Sequence, residues 1–300
     1  MITMQFLLLC LMGVGVLTEK FHLVDNHSRN TLSGLVINVL LPCNIIASFT
    51  GGSAENLLPL ILVLCVSFGI IVFTYILGKF LLFRRYGGEQ KKVLFYATLI
   101  SNASFLGNPM AESIYGFGAL TYASVYLLPV RITLWTLGLT IFAGAGKKPL
   151  RVIFHPCLAA TYIGILIMAA GLTLPELPRR LVFSLGNCTT PFSMLVIGHI
   201  LAQADPKKMF TKTVLYYSFI RLVFIPLAVL CVVVLLKLDP LSAGVSVVLS
   251  GMPAPTTVSI MADTYNSDRE LASRLIFVSM LCSLVTVPAL AWLLGLLIRV

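Results

Sequence analysis

The chain alternates between long apolar runs and short polar breaks. Ten runs predict ten helices, over about 3–18, 32–50, 57–82, 93–116, 119–143, 153–174, 181–203, 213–236, 241–264 and 271–298. A helix of about 20 residues crosses the hydrocarbon core of a bilayer, so the pattern predicts an all-α polytopic membrane protein. The breaks are short and none could fold alone. The first run, Gln5 to Leu17, has no basic stretch before it and no clear small-residue cleavage site. It therefore reads as the first span rather than a signal sequence.

Composition sharpens this picture. Of 300 residues, 58% are hydrophobic and only 11% charged, against about 25% charged in an ordinary soluble domain. That excludes a soluble globular enzyme, and so apolar a chain is equally unlike a disordered one. The net charge of +10 does not form a basic face for nucleic acid. It falls in clusters such as Phe83-Arg84-Arg85 and Gln90-Lys91-Lys92 between apolar runs. With the N-terminus outside, fifteen Lys and Arg lie in inner loops and four on the outer side. This asymmetry predicts a multi-pass protein of the cell membrane with both termini outside. The seven cysteines fall singly in apolar segments without a CxxC, so neither a metal site nor a disulfide framework is expected. They read as small buried hydrophobes.

The prolines then suggest an internal repeat. Pro42 in span 2 and Pro191 in span 7 are 149 residues apart, and Pro109 in span 4 and Pro253 in span 9 are 144 apart. Two proline-interrupted spans thus recur at about half the chain length. Five spans per half is an odd number, so residues 151–300 must enter the membrane opposite to residues 1–150. Paired interrupted helices in inverted repeats point to a transporter's binding site. In Gly107-Asn108-Pro109, Gly107 would let the first half-helix end, Asn108 would cap the second and Pro109 would open it. In span 9, Gly251 would end one half-helix and Pro255 open the next. Unpaired backbone at membrane depth must be buried in protein or line a wet cavity. Two facing half-helix N-termini would bring about +0.5 charge each to the bilayer centre, which favours an anion.

These residues resemble the pattern of the auxin efflux carrier family, which includes the plant PIN-FORMED proteins and bacterial malate and malonate permeases. The similarity runs along nearly the whole chain. It rests on Asn102-Ala103-Ser104-Phe105-Leu106-Gly107-Asn108-Pro109 with Tyr115-Gly116, on Pro191-Phe192-Ser193 to Gly198, on Arg221 with Pro226, and on Met252-Pro253-Ala254 with Ser267-Asp268. The resemblance implies ten helices in two inverted five-helix repeats, with spans 4 and 9 broken and crossing. It also implies a scaffold of spans 1, 2, 6 and 7 beside a moving transport domain of spans 3–5 and 8–10. The family's substrates are organic anions, which would sit at the crossing between those two domains, with Pro42, Asn44, Pro191 and Ser193 lining the scaffold side. The long cytoplasmic loop of many plant members is absent, loop 5–6 being only about 145–149. Glu112 is not part of the family's motif.

Each candidate residue carries a competing structural role. Asn102 and Asn108 either hold a carboxylate through their amides or serve as a helix contact and a cap. Thr256 and Thr257 are the matching candidates across the crossing, with back-bonding to their own helix as the alternative. Pro253 and Pro255 shape the site. Glu112 is a buried coupling group, an ion-pair partner or an exit-facing side chain. Arg131, in the middle of span 5, either receives a substrate carboxylate or neutralises Glu112. Arg221 ties helices together or reaches the interface. Asp263 is a second coupling candidate, and His199 reads as a helix–helix contact rather than a proton relay. No GxSxG, HExxH, GxGD or GxxxxGK[ST] is present, so no enzyme activity and no cofactor are expected. The expectation is an elevator-type secondary transporter of small organic anions such as malate, malonate or auxin-like acids. The rival is a cation/proton antiporter using the same crossing. The expected partners are the substrate, the bilayer and a second copy, whose contact the small residues Gly13-Val14-Gly15 of span 1 would permit.

Overall fold

The computed structural model describes residues 2–50, 57–82, 86–116, 118–143, 156–202 and 209–297, and the regular structure among them is helical throughout. The chain runs through α1 (Ile2–Lys20), α2 (Asn26–Leu35), α3 (Leu41–Phe49), α4 (Leu57–Ile76), α5 (Gly88–Leu99), α6 (Asn108–Tyr115), α7 (Ala119–Thr133) and α8 (Leu139–Ala143). It continues through α9 (Pro156–Ala169), α10 (Glu176–Asn187), α11 (Thr189–Ala202), α12 (Lys212–Phe219), α13 (Ile225–Leu235), α14 (Pro240–Ser250), α15 (Thr257–Thr264) and α16 (Arg269–Leu297). Among the described residues, six helical runs are long and apolar enough to cross a membrane: His27–Ala47, Leu58–Lys79, Thr121–Ala143, Glu176–His199, Lys212–Leu235 and Arg269–Leu297. Helix also occupies parts of the other four segments expected from the sequence, with interruptions at 100–102 and 251–256. The expected loop at 145–149 lies outside the described residues.

Several joins are π-helical turns that lead into prolines. Val36–Leu40 precedes α3 and Pro42, Ala103–Gly107 precedes α6 and Pro109, and Ile220–Phe224 precedes α13 and Pro226. Proline has no N–H to give, and its ring collides with the carbonyl four residues back. Widening the preceding turn moves that carbonyl aside. The residue before the proline shows this directly: the Leu41 N–H bonds Val36 O, and the Ile225 N–H bonds Ile220 O, each five residues back. Pro42 therefore sits in a helix that is locally unwound rather than broken. Pro191 lies early in α11, just past a one-residue interruption at Cys188.

Large apolar side chains such as Phe68, Leu166, Val285 and Trp292 face outward, as suits helices solvated by lipid. Cys10, Cys65 and Cys231 are exposed as well, so the expectation of uniformly buried cysteines does not hold. Where lipid offers no hydrophobic push between helices, close packing at small residues does the joining. α1 and α11 meet at Gly15 and Gly198. A Cβ on Gly198 would overlap the Met12 carbonyl oxygen, and one on Gly15 would overlap that of Leu195. Gly15 is thus used inside the chain, whereas Gly13 has open space around it. Gly198→Leu is expected to destabilise the protein by about 3 kcal/mol, seen as a lower melting temperature in detergent. Gly13→Leu should leave that temperature unchanged.

Two groups of helices emerge from the packing. α1, α2, α3, α9, α10 and α11 contact one another, with α1 against α11 and α3 against α9 and α10. α4, α7, α12, α13, α14, α15 and α16 form the other principal group. The groups touch through α1 and α11 on α16, through α3 and α9 on α7, and through α2 on α15.

Candidate functional site

The two interruptions meet. α5 stops at Leu99, and Ile100 turns extended (φ −112°, ψ 142°). α14 stops at Ser250, where Gly251 (φ −82°, ψ 5°) leaves the helix. The Asn102 N–H then donates to Pro253 O at 2.9 Å. The Ser101 hydroxyl reaches Leu249 O at 3.4 Å, and the Ala254 N–H donates to Ser279 Oγ at 3.0 Å. The first break is thus bonded to the second, and α16 serves the second as well, as buried backbone requires.

In span 9 Gly251 ends the first half-helix as expected, while helix resumes at Thr257 with Thr256 as its N-cap, two residues past Pro255, the Val258 N–H bonding Pro255 O and the Ser259 N–H bonding Thr256 O. Span 4 differs. Helix resumes at Ala103, and Gly107 is itself helical (φ −61°, ψ −51°). Asn108 is therefore not an N-cap, and the chain does not break at Gly107-Asn108-Pro109. The break lies at Ile100-Ser101-Asn102, because the π turn absorbs the missing proline N–H without breaking the helix.

Arg221 spans both breaks. Its Nη1 donates to Thr98 O (3.2 Å), its Nη2 to Ser250 O (2.8 Å) and its Nε to Met252 O (3.1 Å). Thr98 and Ser250 belong to the last turns of α5 and α14, whose carbonyls lack partners within the helix. The guanidinium is buried, and among the described residues no carboxylate pairs with it. Of the two roles open to Arg221, it takes the helix tie and does not reach the interface. Tyr217 reinforces the same end through a 2.8 Å bond to Ala97 O.

Three of the expected site residues come together beside the crossing. Asn44, Arg131 and Thr257 line one small cavity with Leu41, Ile45, Leu134 and Trp135. Its free space is about 10 Å³, roughly that of one water. Arg131 is only 1% exposed, and its guanidinium carbon lies 5.1 Å from the centre of the Phe49 ring on α3, a cation–π contact. Thr257 Oγ1 accepts from the Tyr96 hydroxyl at 2.9 Å. Asn44 reaches across to Gly186 O at 3.3 Å.

Nearby, Pro253, Pro255, Thr256 and Asn102 are buried. Neither end of the Asn102 amide nor the Thr256 hydroxyl finds a hydrogen-bond partner among the described residues, so two polar side chains at the crossing are desolvated without return. Ser193 is buried with an equally unbonded hydroxyl, while Pro42 and Pro191 are half-buried. Asn108 and Pro109 open α6, and their side chains lie outside the described set.

Glu112 is not the buried group that a coupling role would need. Its side chain is exposed on α6, one turn before Gly116 ends the helix. Asp263 is instead paired, its Oδ1 accepting from Arg29 Nη2 at 3.0 Å and Arg269 Nη1 at 3.3 Å. His199 Nε2 lies 3.2 Å from Glu19 Oε2, a helix–helix contact between α11 and α1. Tyr96, Trp135 and the partner of Asp263 were not singled out from sequence. Arg29 follows a polar loop and carries no mark of burial, and no local pattern links it to residue 263.

A crossing of broken helices inside an apolar helical bundle, with buried arginines beside it, defines a membrane transport protein. Residues 1–151 and 145–291 match the family described as "Membrane transport protein", and the chain belongs to that family, the auxin efflux carriers its motifs resemble. It is 27% identical to an "Uncharacterized transporter" of Methanothermobacter thermautotrophicus, over 93% of this chain and 94% of the other. It is 25% identical to a "Putative malonate transporter" of Rhizobium meliloti, over 94% and 92%. A third relative, "Uncharacterized transporter YfdV" of Escherichia coli, is 20% identical over 94% and 93%.

Proposed function

We propose that this protein is a secondary carrier of small organic anions, with dicarboxylates such as malonate or malate as the substrate class. One observation carries the proposal: Arg131, Asn44 and Thr257 converge on a single cavity at the crossing. A carboxylate there would meet a guanidinium, an amide and a hydroxyl, and the half-helix N-termini would add positive potential. The malonate named for the Rhizobium relative fits this chemistry.

The cavity also suggests how the carrier moves. Asn44 comes from the helix group containing α3, and Arg131 and Thr257 come from the other group. Space for one water cannot hold a dicarboxylate, so the groups must shift relative to one another to admit it. An elevator-type displacement of spans 3–5 and 8–10 against spans 1, 2, 6 and 7 accounts for this. The two halves, 1–150 and 151–300, would then be inverted repeats with both termini outside. A cation/proton antiporter needs carboxylates at the crossing. Glu112 is exposed and Asp263 is ion-paired, which favours the anion.

The test is uptake of labelled malonate, malate and indole-3-acetate into proteoliposomes, with proton, sodium and potential gradients imposed in turn. Saturable uptake of a carboxylate is the expected result. Sodium-dependent flux without any organic-anion flux would replace this proposal with the antiporter.

A further inference from the structure

We infer that Arg221 sets the charge preference of the crossing by occupying both of its negative helix ends. This deepens the anion-carrier proposal and rests on it.

A crossing of two broken helices is electrostatically ambiguous. It brings two C-terminal ends and two N-terminal ends together, with about −0.5 and +0.5 charge apiece. Their sum is near zero, so such a site can serve a cation at one pair of ends or an anion at the other. Here the ends are not equal. The three Arg221 bonds go to Thr98 O, Ser250 O and Met252 O, which are the carbonyls a cation would need. The end of α5 and the end of α14 are both taken by one full positive charge.

The other ends carry no such compensation. The π turn from Ala103 into α6 and the start of α15 at Thr257 lead away from the same crossing. Among the described residues, the buried hydroxyl of Thr256, the N-cap of α15, has no hydrogen-bond partner, and neither has the buried side-chain amide of Asn102 immediately before the π turn. Arg221 has no carboxylate partner among the described residues, and its three guanidinium bonds all go to main-chain carbonyls. The crossing therefore holds a net positive charge together with unspent donors, a combination that a carboxylate completes. Arg221 need not touch the substrate; it is a positioning residue that acts through the helix ends.

The experiment measures malonate binding by calorimetry in detergent for the wild type, Arg221→Lys, Arg221→Gln and Ser250→Asp, each checked for monodispersity and melting temperature. Arg221→Lys keeps the charge and should bind malonate within about threefold of the wild type. Arg221→Gln keeps hydrogen-bond donors but no charge, and its affinity should fall about tenfold or more. Ser250→Asp sets a counter-charge beside the guanidinium without removing it, and should weaken malonate to a similar extent. A purely structural tie predicts the reverse ranking, with Arg221→Gln binding normally once folded. Undiminished affinity in folded Arg221→Gln overturns the inference and leaves the carrier proposal standing. If Arg221→Gln does not fold, undiminished affinity in Ser250→Asp overturns it instead. A wild type that binds none of malonate, malate and indole-3-acetate overturns the carrier proposal, and this inference with it.

Discussion

Arg131→Met is expected to raise the KM for carboxylate uptake by thirtyfold or more, while the protein still folds and inserts. The magnitude follows from the burial. Removing one partner of a desolvated, hydrogen-bonded charge pair costs about 2–5 kcal/mol, and the low end of that range is about thirtyfold. Methionine keeps the apolar stem of arginine and loses only its guanidinium, so the stem still fills space in α7 while the charge over the Phe49 ring is removed. Arg131→Lys should recover only part of the loss, because an ammonium cannot present the planar fork that binds a carboxylate with two parallel bonds. The check is initial uptake rate against substrate concentration in proteoliposomes, with surface expression and melting measured in parallel. Unaltered KM in Arg131→Met would remove Arg131 from the substrate site.

The sequence and the structure agree best where the signal is local and differ where it is not. Gly251 and Pro255 mark the second break because a Cβ on Gly251 would press on the Leu290 side chain and because Pro255, with no N–H to give, lies just before the Thr256 cap where helix resumes. The first break misleads. Gly107, Asn108 and Pro109 have the composition of an interruption, yet a π turn accommodates the proline and the helix carries on. The true interruption, at Ile100-Ser101-Asn102, is set by its bond to Pro253, a tertiary contact that no window of sequence contains.

Arg131, Asn44 and Thr257 were each legible as polar residues in apolar spans, since an unmatched polar group in a membrane helix is costly. That they share one cavity was not legible, because it depends on how α3 sits against α7 and α15. Glu112 shows the limit of the rule: counted as intramembrane from its run, it lies near a helix end and faces outward.

The second large effect belongs to Asp263. Arg29 and Asp263 are 2% and 8% exposed, 3.0 Å apart and on helices of opposite groups, α2 and α15. Removing one partner of a buried ion pair costs about 3–5 kcal/mol, because the other charge is left without it, whereas replacing both by apolar groups is often neutral. Asp263→Leu and Arg29→Met should each lower the melting temperature, Asp263→Leu the more sharply because Arg269 still donates to Asp263 in Arg29→Met, and the double variant Arg29→Met with Asp263→Leu should recover most of the loss. The double-mutant cycle isolates the pair from the effects of either change alone.

Transport then separates two roles for the carboxylate. If Asp263 carries a coupling ion, the double variant folds but loses its dependence on the imposed gradient. If the pair is a latch between the two helix groups, the double variant keeps that dependence and changes only its turnover, since the arrangement with the cavity closed has lost a contact that the shifted arrangement lacks. The structure favours the latch. Asp263 Oδ1 already accepts from both Arg29 and Arg269, and the cavity-lining set of Asn44, Arg131 and Thr257 does not include it.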